Sequence, residues 1–118
     1  LIWLTAEPER IGEAARTALN SQAKVYLSDV SIWEVCLKWQ AGKVKLPQPP
    51  RAWCEGQSTV WGLLLLAIER SHLYRVSELP DHHRDPFDRL LVGQALEMRL
   101  TILTPDEQIH RYPVPWLW

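Results

Sequence analysis

Apolar positions in this chain come in short runs separated by turn-forming residues, and their spacing changes from one run to the next. Residues 1–5 (LIWLT) read as the end of an element, closed by the polar Glu7-Pro8-Glu9-Arg10. Ile11, Ala15, Ala18 and Leu19 then recur at helical spacing and predict a short helix over 11–19. The run KVYLS at 24–28 reads as a short buried strand. A helix follows over 30–41, with Ile32, Val35, Cys36 and Trp39 on its apolar face, and Gly42 gives its stop signal. Pro47, Pro49 and Pro50 mark a turn, and Pro50 is placed to open the next helix, through Trp53 and Gln57.

The run WGLLLL at 61–66 allows a helix by propensity, but its shortness and Gly62 favour a buried strand of about four residues. Helical patterns return over 68–79, ending before Pro80, and over 86–98. A strand at 100–103, a short helix beginning at Pro105 and a last strand at 114–116 complete the pattern. Strands alternating with helices predict an α/β fold with a parallel sheet covered on both faces. There is no internal repeat. The 118 residues fit one domain, with roughly two-thirds of the unfolded surface buried.

Composition changes this picture little. At 47% apolar and 23% charged the chain is ordinary for a globular protein, and a net charge of -1 exerts no global pull on nucleic acid. Any nucleic-acid contact therefore needs a local basic patch. Cys36 and Cys54 lack metal-type spacing, and Cys36 reads as a buried reduced thiol. No signal peptide is evident, and the longest apolar stretch, 60–68, is too short to span a bilayer. The expected location is the cytoplasm, with no membrane association.

Three helix starts share one chemistry. Ser31-Ile32-Trp33-Glu34 has the S-x-x-E spacing of a capping box. Asp85-Pro86-Phe87-Asp88 sets an aspartate cap before a proline at the first helical position, with a second acid two residues further on. Thr104-Pro105-Asp106-Glu107 repeats the design with threonine as cap, and Asp29 reads as a cap for the helix that follows it. Each acid also complements the positive end of a helix. Capping alone explains them one at a time.

Together they carry a second reading. In a parallel sheet the carboxyl ends of strands and the following helix starts gather along one edge, where open α/β folds bind ligands. Glu34, Asp88 and Asp106 would then point into one crevice. Clustered carboxylates repel unless a cation compensates them, and hard oxygen donors suit Mg²⁺ or Mn²⁺. Such an ion activates water and stabilises charge on a phosphodiester. Capping and ion binding can coexist in the same residues.

The segments SIWEV (31–35), HRDPFDRLLVGQA (83–95), LTILTPDE (100–107) and YPVPWLW (112–118) resemble PIN-domain proteins, most closely the VapC-type toxin branch, in the same order along essentially the whole chain. The resemblance implies a single three-layer α/β/α PIN-like sandwich with a central parallel sheet over 1–118. It also implies a Mg²⁺- or Mn²⁺-dependent endoribonuclease, the toxin of a toxin–antitoxin pair, acting on RNA, bound by an antitoxin protein and forming a homodimer. Carried over residue by residue, it makes Glu34, Asp88 and Asp106 the catalytic metal ligands. Asp85, Thr104, Arg84 and Arg89 take supporting roles. The family pattern begins with a strand ending in an aspartate, before a segment resembling Leu1-Ile2-Trp3, and the chain starts beyond it. That implies an N-terminal truncation or, alternatively, a catalytically inactive PIN-like binding protein.

Lys38, Lys43, Lys45, Arg51, Arg84 and Arg89 are the candidates for phosphate contacts. Arg84 and Arg89 flank the acids, and either can instead pair with Asp85 or Asp88 and hold it in place. His82 and His83 read as loop-structuring residues, and His72 as a surface or edge residue. Trp33, Trp39, Trp53 and Trp61 serve either the core or a dimer or antitoxin surface. No serine or cysteine is paired with a base at readable range.

Overall fold

The computed structural model of the protein describes residues 11–82 and 84–118. Expectations that fall on residues 1–10 and on His83 lie outside the described residues. The chain divides into two compact units: one contains the described residues through Ala23 with Glu69–Trp118, the other is Lys24–Ile68. The architecture is α/β, and its strands pair in parallel.

In the Lys24–Ile68 unit, β1 (Tyr26–Ser28) leads into α2 (Asp29–Gln40), then α3 (Pro50–Trp61) and β2 (Leu64–Leu66). β1 and β2 pair with Tyr26 opposite Leu64 and Ser28 opposite Leu66. A parallel pair needs a crossover, and the two helices supply it. Leu27, Val30, Val35, Trp53 and Cys54 are the buried apolar side chains of this unit. Two helices end alike. At Gly42 (φ 73°) the Lys43 amide donates to the Lys38 carbonyl, and at Gly62 (φ 63°) the Leu63 amide donates to the Ser58 carbonyl. Each is a Schellman turn, which needs a left-handed residue and favours glycine.

The run at 61–66 does contain a strand, but not a buried one. Trp61 closes α3, and Leu64 and Leu65 are 44% and 52% exposed. Adjacent strand residues point to opposite faces, so neither face of β2 is sealed. Cys36 is half-buried rather than buried, and both cysteines are free thiols.

In the other unit, α1 (Glu13–Asn20) is followed by α4 (Arg70–Ser77), α5 (Pro86–Met98), β3 (Ile102–Leu103), α6 (Glu107–His110) and β4 (Trp116–Leu117). β3 pairs with β4, placing Ile102 opposite Trp116. Val92, Ala95, Ile102, Ile109, Tyr112 and Val114 form the core, with Leu79, Leu91, Leu96 and Leu100 packed on it. α4 and α5 approach closely at Gly93, where an added Cβ would lie 3.0 Å from the His72 carbonyl. Alanine there would push the helices apart.

His72 is buried, not at the surface, with 1% of its area exposed. Its Nδ1 accepts from the Glu69 amide at 3.0 Å and lies 3.3 Å from Gln94 Nε2. It thus caps its own helix from inside, a use that a polar residue in an amphipathic pattern does not announce. Among the described residues, no helix is long and apolar enough to cross a membrane.

Candidate metal centre

α5 carries two of the expected acids, and its start is built as the sequence predicts. Pro86 sits at the first helical position, where its missing N–H costs nothing. Asp85 is the cap: its Oδ1 accepts from the Phe87 amide at 2.9 Å and from the Asp88 amide at 3.2 Å. Asp88 lies in the first turn, half-buried, as is Asp85. A carboxylate oxygen of Asp85 and one of Asp88 lie within 4.8 Å of each other. Two half-buried acids this close repel when both are ionised, and a cation relieves that repulsion.

Arg89 turns its guanidinium to backbone and hydroxyl oxygens. It donates to the carbonyls of Val76 and Pro80, each at 3.0 Å, and to the Tyr112 hydroxyl at 3.1 Å. Those bonds tie the first turn of α5 to the end of α4, to the loop after it and to the core. Arg89 is therefore a brace for the turn that carries Asp88. Arg84 is exposed beside it, and the half-buried His82 meets the Tyr112 ring edge-on at 5.2 Å.

Asp106 reaches its place differently from the expected design. Thr104 is not the helix cap. Its Oγ1 accepts from the Asp106 amide at 3.1 Å, forming a tight turn, and Asp106 itself caps α6 by accepting from the Gln108 amide at 2.8 Å. The helix begins at Glu107 because Pro105 and Asp106 are used in that turn. The Thr104 amide donates to the Leu117 carbonyl at 3.0 Å, and this bond anchors the turn to β4.

Glu34 lies in the other unit, half-buried on α2. The capping box expected at Ser31 does not form. Ser28 is the cap, accepting from the Val30 amide at 3.0 Å, and Asp29 is the first helical residue rather than the cap. The physical reason is that α2 starts directly at the end of β1, so the last strand residue meets the free amides first. This shift puts Glu34 more than one turn into the helix, where capping no longer accounts for it. It pairs with Lys38, 3.9 Å away one turn on, and this partly exposed pair has small energetic weight.

These acids offer carboxylate oxygens, the hard ligands that Mg²⁺ and Mn²⁺ take. Residues 1–115 match the PIN domain. The chain belongs to the PIN-domain family. It is also similar to the ribonuclease VapC22 of Mycobacterium tuberculosis (strain ATCC 25618 / H37Rv): 27% identical over 116 residues, covering 96% of this chain and 88% of that protein. One arrangement near Asp106 leaves almost no trace in the sequence. His110, four residues after Asp106, donates from Nε2 to the Thr104 carbonyl at 2.9 Å and stacks on Trp116. Its only sequence signal is the i, i+4 spacing from the capping acid.

Proposed function

We propose that this chain is a metal-dependent endoribonuclease that cleaves RNA phosphodiester bonds, the toxin component of a toxin–antitoxin pair. The observation that carries the reading is the close pair of half-buried carboxylates at Asp85 and Asp88, in a PIN-domain chain that resembles a ribonuclease over 96% of its length. Glu34, Asp88 and Asp106 would hold Mg²⁺ or Mn²⁺, which supplies Lewis-acid charge at the phosphodiester and lowers the pKa of water. The protein's own contribution is placement. Asp85 fixes the first turn of α5 through two amides, and Arg89 braces that turn from three sides. Thr104 shapes the turn that presents Asp106.

Arg84, exposed next to the acids, contacts substrate phosphate in this reading, as do Lys38, Lys43, Lys45 and Arg51, which are exposed as well. Trp33 and Trp39, 50% and 42% exposed on α2, offer aromatic surface to an antitoxin protein or a second copy in a homodimer. The site of action is the cytoplasm.

Cleavage of single-stranded RNA by wild type and Asp88→Asn, with Mg²⁺ or Mn²⁺ and with chelator, tests the proposal. Wild type should cleave only with metal, and Asp88→Asn should be slower by on the order of 10²-fold, as for loss of one transition-state partner. Equal rates would remove Asp88 from the site. RNA binding by wild type with no cleavage under any metal would leave the inactive binding protein instead.

A further inference from the structure

We propose that His110 is a positioning residue for Asp106, holding the Thr104–Asp106 turn at the geometry that ion binding requires. The inference rests on the reading of Asp106 as a metal ligand and adds a residue to it. The imidazole lies flat on Trp116 of β4, with ring centroids 3.4 Å apart and planes within 10°. A carbonyl oxygen only accepts, so the ring proton is on Nε2, donated to Thr104 at 2.9 Å. The same threonine accepts the Asp106 amide through Oγ1 and gives its own amide to Leu117. Thr104 is thus gripped by three groups: the backbone of β4, the Asp106 amide, and a histidine that is stacked on β4.

α6 is only four residues long, so its own hydrogen bonds fix little. Without the imidazole, the turn keeps its bond to β4 but loses the contact between its carbonyl and α6. The Asp106 carboxylate, still bonded to the Gln108 amide, then shifts with α6, which is joined to the turn by one bond fewer. Groups that orient a metal ligand typically change ion affinity by roughly 10–100-fold.

The test separates the hydrogen bond from the stack. His110→Phe keeps an aromatic ring on Trp116 and removes the donor. Mn²⁺ binding to the RNA-free protein, measured by calorimetry, should weaken roughly tenfold, while the thermal midpoint stays near wild type. His110→Gln, whose amide nitrogen reaches as far as Nε2, should recover part of the affinity. Asp106→Asn is the reference and should weaken Mn²⁺ binding at least as much as His110→Phe. If Asp106→Asn binds Mn²⁺ like wild type, the reading of Asp106 as a ligand fails, and the role of His110 with it. If Asp106→Asn is weakened and His110→Phe is not, the positioning role alone is overturned. Should His110→Phe also lower the midpoint, His110→Gln decides. Recovered affinity without a recovered midpoint supports the proposal, and recovery of both in step overturns it.

Discussion

The unit carrying Asp85, Asp88 and Asp106 closes around Val92, Ala95, Ile102, Ile109, Tyr112 and Val114, and polar groups fix its joints. The unit carrying Glu34 leaves Tyr26, Trp33, Leu37, Trp39, Val60, Leu64 and Leu65 exposed and places one tryptophan, Trp53, inside. In the first, Arg89, His72 and His110 each tie named atoms together through directional bonds. In the second, the buried apolar side chains are few: Leu27, Val30, Val35, Trp53 and Cys54. Directional bonds hold carboxylates in place, which ion binding needs, while open apolar surface suits association with another chain.

The largest test of this contrast is to truncate a buried and an exposed tryptophan of the Lys24–Ile68 unit. Trp53→Ala removes a ring that is 3% exposed and should cost about 3–5 kcal/mol in chemical denaturation of the full chain. Trp33→Ala, at a half-exposed position, should cost about 0.5 kcal/mol or less. Similar losses from both would mean that Trp33 is structural in this unit and that the exposed aromatic surface is not spare. The same pair of variants should reverse their order in an antitoxin-binding assay.

A smaller effect compares the helix ends. Both long helices of the Lys24–Ile68 unit end in a left-handed glycine, but α5 ends the same way at Arg99, with φ 56°. The Leu100 amide donates to the Ala95 carbonyl at 2.8 Å, so this too is a Schellman turn, made with a Cβ in a crowded conformation. Arg99→Gly should therefore stabilise the protein, by roughly 0.5–1 kcal/mol after the extra freedom of glycine in the unfolded chain is offset. A denaturant midpoint that falls would show that the arginine side chain does more for α5 than the backbone conformation costs.

What the sequence made legible follows the same division. Signals built into the backbone were readable: Pro86 at the start of α5, Asp85 before it, Pro50 opening α3, and Gly42 ending α2. Signals that depend on which nearby group arrives first were not. Ser28 and Ser31 are both good caps, and the end of β1 decided for Ser28. Thr104 and Asp106 are both good caps as well, and the anchoring of Thr104 to β4 left the helix to Asp106. His72 and Arg89 could not be placed because most of their partners are backbone carbonyls and amides, which carry no sequence signature, and the others, Gln94 and Tyr112, are more than twenty residues away. The acids at 34, 85, 88 and 106 could be singled out because carboxylates are conspicuous by type. The bonds that Arg89, Thr104 and His110 make around three of them are visible only in the fold.

A change that depends on pH lies at Cys54, in the less specified unit. Burial pushes this thiol above its ordinary value of 9.0, and the neighbouring Cys36 and Glu55 push in the same direction. The folded protein thus holds the Cys54 proton more tightly than the unfolded chain does. The resulting stability is fully present below the unfolded value near 9.0 and is lost as pH rises through the higher folded value. Cys54→Ala should cost on the order of 1 kcal/mol at pH 7.5 through lost packing, and its deficit against wild type should shrink by pH 10. Denaturant midpoints of the two proteins across that range measure the difference directly, because groups that do not act on Cys54 cancel between them. A deficit that stays constant would mean that the thiolate is as well accommodated in the folded unit as in water. The interior around Trp53 and Cys54 would then be open to solvent, and the Lys24–Ile68 unit would lack a dry core to set against the other.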